Sequence, residues 1–119
     1  MVRFDTLDRR ISTLAADCLA IGLFDDDALE GTALDVDRAS RGLLRKLKAS
    51  GDLPVRAGDS QLLVAPTGLA ARRLLVVGLG KRREFTQRSW RKAVTTALNG
   101  CLKTRAAHLA LAIDAPATE

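Results

Sequence analysis

Apolar positions along this chain follow two different spacings, and the changes from one to the other mark out an alternation of strands and helices. Residues 2–6 set Val2 and Phe4 against Arg3 and Asp5, the two-residue period of a short strand exposed on one side. Residues 15–24, Ala-Ala-Asp-Cys-Leu-Ala-Ile-Gly-Leu-Phe, are largely apolar and predict a second strand, ended by Asp25-Asp26-Asp27. The spacing then shifts to threes and fours. Val36, Ala39, Leu43, Leu44 and Leu47 predict one helix over residues 34–50, with Arg38, Arg41, Arg45, Lys46 and Lys48 on its solvent side and Gly51 just past its end. Pro54, Gly58 and Asp59 make residues 53–60 a loop, residues 61–65 read as a third strand, and Pro66-Thr67-Gly68 turns the chain towards the next.

The most informative stretch follows. Arg72-Arg73 leads into Leu74-Leu75-Val76-Val77, a buried central strand over residues 73–77, which breaks at the turn Gly78-Leu79-Gly80. After residues 82–86, polar apart from Phe85, Trp90, Ala93, Val94, Ala97, Leu98, Cys101 and Leu102 return to helical spacing, with Thr86 placed to cap the helix. Asn99-Gly100 either ends that helix or sits inside it. A last strand spans residues 108–113, closed by Asp114 and Pro116. Strand, Gly-x-Gly turn and amphipathic helix make half of a βαβ unit, so the expected fold class is α/β, a mixed sheet flanked by helices in a single domain over residues 1–119.

With 119 residues, 47% of them hydrophobic, the chain can bury a core without staples. Cys18 and Cys101 lie in apolar stretches without metal-ligand spacing and are expected to be buried reduced thiols, a disulfide between them being left open. Residues 1–5 lack the apolar segment of a secretory leader, and no apolar run reaches the length of a membrane span. A soluble cytoplasmic protein with no membrane partner is expected. Charge is unevenly placed: residues 1–37 hold three arginines against nine acids, and the remainder sixteen bases against five acids. A basic surface of that kind suits nucleic acid or an acidic partner. Three Phe, one Trp and no Tyr leave little for base stacking, so phosphate contact is the mode that remains.

Catalytic chemistry finds little support. His108 begins a strand among small and apolar neighbours, with no nucleophile or orienting carboxylate near it in sequence. There is no HExxH, CxxC or Gly-x-Ser-x-Gly. Three adjacent aspartates, Asp25 to Asp27, cannot readily all face one ion. The Gly78-Leu79-Gly80-Lys81 turn fits neither phosphate motif, since a Walker loop needs four residues before its Gly-Lys, and the dinucleotide fingerprint needs glycine where Arg83 stands. Gly78 and Gly80 are therefore read as structural. The basic run is the other candidate: Arg82 and Arg83, continued by Arg88, Arg91 and Lys92 on the polar side of the Trp90 helix, is either a solvated face or a contact for nucleic acid.

Several of these segments together resemble a known family. Arg73-Leu-Leu-Val-Val-Gly-Leu-Gly-Lys81, then Phe85-Thr86 and Trp90-Arg-Lys-Ala93, are similar to the N-terminal domain of the M17 leucyl (cytosol) aminopeptidases. Ala20-Ile-Gly-Leu-Phe24, Gly42-Leu43-Leu44, Gly51-Asp52, the Gly58 loop and Leu62-Leu63-Val64 follow the same order. The resemblance implies a macro-domain-like fold and a non-catalytic accessory or assembly domain. It implies that two divalent metal ions, zinc or manganese, and all catalytic residues belong to a C-terminal domain absent from this chain. The parent would be a metal-dependent leucyl aminopeptidase, a homo-hexamer, with DNA as a further partner in some bacterial members. For this chain itself no catalytic, cofactor-binding or metal-binding residue is expected. Two alternatives stand beside this reading: a nucleic-acid-binding module acting through the basic patch, and a macro-like nucleotide or ADP-ribose binder.

Overall fold

The long apolar runs become neighbours in one sheet. A computed structural model of the chain describes residues 16–25, 31–104 and 108–113. Among them, strands β1 (Cys18–Phe24), β2 (Ser60–Val64), β3 (Arg73–Gly80) and β4 (Leu109–Ala112) form a mixed sheet in the order β2-β3-β1-β4. β1 is parallel to both of its neighbours, with Leu19 opposite Leu74 on one side and Ala110 on the other. β2 lies antiparallel to β3, placing Leu62 opposite Leu75. Helices α1 (Gly31–Ala39), α2 (Leu43–Ala49) and α3 (Gln87–Leu102), with a short 3₁₀ segment over Arg82–Glu84, complete the described elements. The strand expected over residues 2–6 lies outside the described residues.

β1 and β3 are apolar throughout their middles because both faces of the sheet are covered. Leu19, Ile21, Leu23, Leu74 and Val76 pack beneath Val36 of α1 and Leu44 of α2. The alternate residues, Cys18, Ala20, Leu75, Val77 and Leu79, pack against Ala93, Ala97 and Cys101 of α3. Small residues on the inner face of α3 let it approach the strands closely. Gly100 belongs to that face: a Cβ there would stand 2.6 Å from Cδ2 of Leu75. Asn99-Gly100 is thus inside the helix, which runs on to Leu102, and the glycine makes room for a leucine. At the other end the Ser89 amide donates to Thr86 Oγ1 at 3.3 Å, the cap expected from the sequence. The indole Nε1–H of Trp90 donates to the Ile113 carbonyl at 2.7 Å and ties the start of α3 to the end of β4.

One expected helix is two. Residues 34–50 break at Ser40-Arg41-Gly42, where Arg41 and Gly42 take φ of 60° and 85°. Such values are strained for arginine and easy for glycine, so the pair reverses the chain between α1 and α2. The Ser40 hydroxyl donates to the Val36 carbonyl at 2.7 Å, and the Gly42 amide to the Asp37 carbonyl at 2.7 Å. Gly42 has no side chain to cap α2, and Asp37 does it from the preceding helix. Its carboxylate is fully buried; Oδ1 accepts the Arg45 amide at 3.0 Å and Oδ2 meets Arg45 Nε at 2.5 Å. The Arg45 side chain is 69% exposed, so the ion pair weighs less than the cap.

Asp37→Ala should therefore lower the unfolding free energy by about 1–2 kcal/mol through loss of the cap. Arg38→Ala, on the exposed side of the same helix, should change it by no more than about 0.5 kcal/mol. Urea denaturation of the two variants checks both values.

Candidate functional site

In an α/β sheet the C-terminal ends of parallel strands form the usual site. Here those ends are Phe24 with Asp25, Gly80 with Lys81, and Ala112 with Ile113. The glycine pair lies within β3, which runs through both residues to Gly80, and the chain turns one residue later, in a short 3₁₀ segment, Arg82–Glu84. The extension has a cause. The loop before β2 runs alongside, and its carbonyls take the glycine amides: Gly78 N–H donates to Asp59 and Gly80 N–H to Val55, each at 2.8 Å. The Gly80 carbonyl in turn accepts the Asp25 amide at 2.8 Å. Amides committed in this way do not form a phosphate cradle. A Cβ on Gly78 would stand 2.1 Å from the Arg56 carbonyl oxygen, whereas one on Gly80 would meet ordinary contacts from 3.4 Å outward. Gly80 is needed for another reason, a φ of 75°.

Beyond the strand ends, aromatic side chains close over the sheet. Phe24 and Phe85 meet edge to face, 5.2 Å between centroids at 87°, and the Arg82 guanidinium lies 4.2 Å above the Phe24 ring. Arg82 is thereby held back against the strand ends. Arg83 is exposed in the 3₁₀ segment, and Arg88, Arg91 and Lys92 are exposed along the first turns of α3. Their spacing of three and four puts the last three on one outer face, opposite Ala93, Ala97 and Cys101. α3 contains no Asp or Glu from Gln87 to Leu102, so no acid of its own helix offsets that charge. Three of the five predicted cations thus share one surface, Arg83 leads into it, and Arg82 faces an aromatic ring.

His108 stands at the opposite end of the sheet, ahead of β4. Its amide donates to Asp17 Oδ2 at 3.1 Å, and its carbonyl accepts from the amides of Asp17 at 2.9 Å and Cys18 at 3.3 Å. It joins β1 to β4 there. Among the described residues no group of three or more His, Cys, Asp or Glu is arranged to hold a metal ion. Asp25 is exposed after β1, and Asp26 and Asp27 lie outside the described residues.

Cys18 and Cys101, for which the sequence left a disulfide open, meet in the core as free thiols. Both are fully buried, and the Cys101 thiol donates to Cys18 Sγ across 2.6 Å. That hydrogen bond holds Cys18 below the usual thiol range against the opposing effect of burial, with Arg73 adding a favourable charge. The same bond, then burial, pushes Cys101 far upward. The sequence held one usable sign: Cys101 is three and four residues from Leu98 and Ala97, on the inward face.

Residues 20–119 match the family described as cytosol aminopeptidase family, N-terminal domain. A relative from Ralstonia nicotianae, named "Probable cytosol aminopeptidase", is 45% identical over 94 residues, which is 79% of this chain and 19% of the relative. One of the same name from Paraburkholderia phymatum is 37% identical over 105 residues, 87% of this chain and 21% of the relative. The chain thus spans about a fifth of the length of these relatives. In fold it is similar to the macrodomain of Thermus aquaticus DarG, at a TM-score of 0.68 and 16% identity over 93% of this chain and 75% of that one. The macrodomain of Mycobacterium tuberculosis DarG gives 0.67 and 12% over 93% and 74%. The mixed sheet between helix layers is macro-domain-like, as expected.

Gly78→Val should destabilise the domain by about 1–3 kcal/mol, because the added atoms meet backbone that cannot rotate away. Gly80→Asn should cost about 1 kcal/mol or less, since asparagine tolerates positive φ and its Cβ would meet no atom nearer than 3.4 Å. Thermal melts of the two variants, compared side by side, check the order.

Proposed function

Since the chain belongs to the cytosol aminopeptidase family, as its N-terminal domain, we propose that it is the non-catalytic accessory and assembly module of a metal-dependent enzyme that removes N-terminal residues, leucine among them, from peptides. The reading rests on one observation: 45% identity to a protein named as an aminopeptidase, confined to a fifth of that protein's length. Peptide hydrolysis then belongs to the remaining four-fifths, together with the two divalent ions, zinc or manganese. Among the described residues of this chain no group of three or more His, Cys, Asp or Glu is arranged to hold such ions. The partner of this domain is its own catalytic domain, and the assembly it serves is a homo-hexamer.

The chain alone should release no amine from a leucyl anilide, with or without added manganese or zinc. Deleting the matched segment from the Ralstonia nicotianae relative should lower its assembly state, and fusing this chain in its place should restore it. Light scattering and turnover of the three proteins decide the matter. Metal-dependent turnover by the chain alone that disappears on a point substitution within it would overturn the proposal, as would an assembly indifferent to the deletion.

One observation favours a second role for the same module, DNA contact: a helix without acids that presents Arg88, Arg91 and Lys92 on one exposed face, preceded by Arg83 and Arg82. Long flexible cations of this kind touch phosphates and carry little base readout, so binding would be largely independent of sequence. Replacing Arg88, Arg91 and Lys92 together with alanine should weaken binding about equally for unrelated duplexes. It should also flatten the slope of log affinity against log salt by up to about 3. Fluorescence anisotropy titrations at several salt concentrations give both numbers, and an unchanged slope would leave this face to solvent.

A further inference from the structure

The two cysteines of the chain are 83 positions apart in sequence and adjacent in space. Cys18 opens β1, Cys101 lies in the last turn of α3, and their sulfurs are 2.6 Å apart in the layer between helix and sheet. A disulfide needs about 2.05 Å between sulfurs, so closure asks the two sulfurs to approach by well under 1 Å. We propose that Cys18 and Cys101 form a reversible disulfide when the protein meets a hydroperoxide, stapling the end of α3 to the start of β1. This inference is independent of the peptidase reading.

The chemistry balances with the hydroperoxide as the only oxidant. The Cys18 thiolate attacks the outer peroxide oxygen, the O–O bond breaks, and the departing oxygen leaves as water or alcohol after taking up a proton. The resulting sulfenic acid on Cys18 is attacked by the Cys101 sulfur. An S–S bond forms, hydroxide leaves and takes the Cys101 proton as water, and the two thiols have lost two electrons to the peroxide. The opposite order, with Cys101 attacking and Cys18 resolving, balances in the same way and gives the same disulfide. Peroxide reaches the buried pair when the last turn of α3 opens, and helix ends open at low cost compared with global unfolding. In a reducing compartment such pairs are transient and responsive rather than structural.

Packing alone offers a competing account, since buried cysteines serve as small hydrophobes. The test separates the two. The folded 119-residue chain is treated with hydrogen peroxide, remaining thiols are blocked, and intact mass and a non-reducing peptide map are recorded. The expected product is lighter by two hydrogens, carries the Cys18 peptide joined to the Cys101 peptide, and reverts in dithiothreitol. Its melting temperature should rise on the order of 5–15 °C, because the cross-link closes a long loop in the unfolded chain. Cys18→Ala and Cys101→Ala should each abolish the joined species. If either variant fails to fold, the map of the unsubstituted chain still decides. Wild-type protein that gains only oxygens on separate peptides, or keeps both thiols until denatured, overturns the proposal.

Discussion

The parallel pairing of β1 with β3 on one side and β4 on the other joins segments drawn from both ends and the middle of the chain. Each of the three strands is buried on both faces along most of its length, which is why none of their central positions is charged. Leu19, Ile21, Leu74, Val76 and Leu109 are fully enclosed, and side chains of this kind contribute roughly 1.5–3 kcal/mol each when removed from water. Neither helix layer can form its inner surface without this ladder. Val36 and Leu44 need the Leu19 face; Ala93 and Ala97 need the Ala20 face. The edge strand β2, by contrast, is mostly exposed and adds register rather than burial.

That arrangement also shapes what the domain can do. The strand ends that commonly receive a ligand are occupied here by the chain itself: the loop carbonyls of Val55 and Asp59 on the glycine amides, and Phe24, Phe85 and Arg82 above them. Unsatisfied donors are what make such a crevice attractive to phosphate. With these donors engaged internally, the described cations that stand outside the sheet include those of two helices, Arg45, Lys46 and Lys48 on α2 and Arg88, Arg91 and Lys92 on α3.

Much of this was legible in the sequence. Helical and strand periodicity located the four described strands, the Thr86 cap and the α3 helix, because each reflects local geometry alone. The break at Arg41-Gly42 was not legible, since apolar spacing continues across it from Val36 to Leu47; what interrupts the helix is a buried carboxylate, Asp37, capping at a distance of eight residues. The glycines expected in a turn, Gly78 and Gly80, lie instead within β3. Their amides pair with a loop some twenty residues earlier, and no local pattern encodes that contact. For the same reason the sequence could leave a Cys18–Cys101 pairing open but not decide it. Of the basic residues, periodicity grouped Arg88, Arg91 and Lys92 on one face, while the seat of Arg82 over Phe24 depends on two strand ends meeting in space.

Trp90 is the only tryptophan in the chain, and its indole N–H is bonded to the carbonyl of Ile113 at the seam between α3 and β4. Buried indoles seek such a partner, and the ring is only partly shielded where it does so. The protein therefore carries a built-in optical reporter at one defined joint. Its emission wavelength responds to water reaching the ring, so an opening along this seam that wets the indole registers as a colour change.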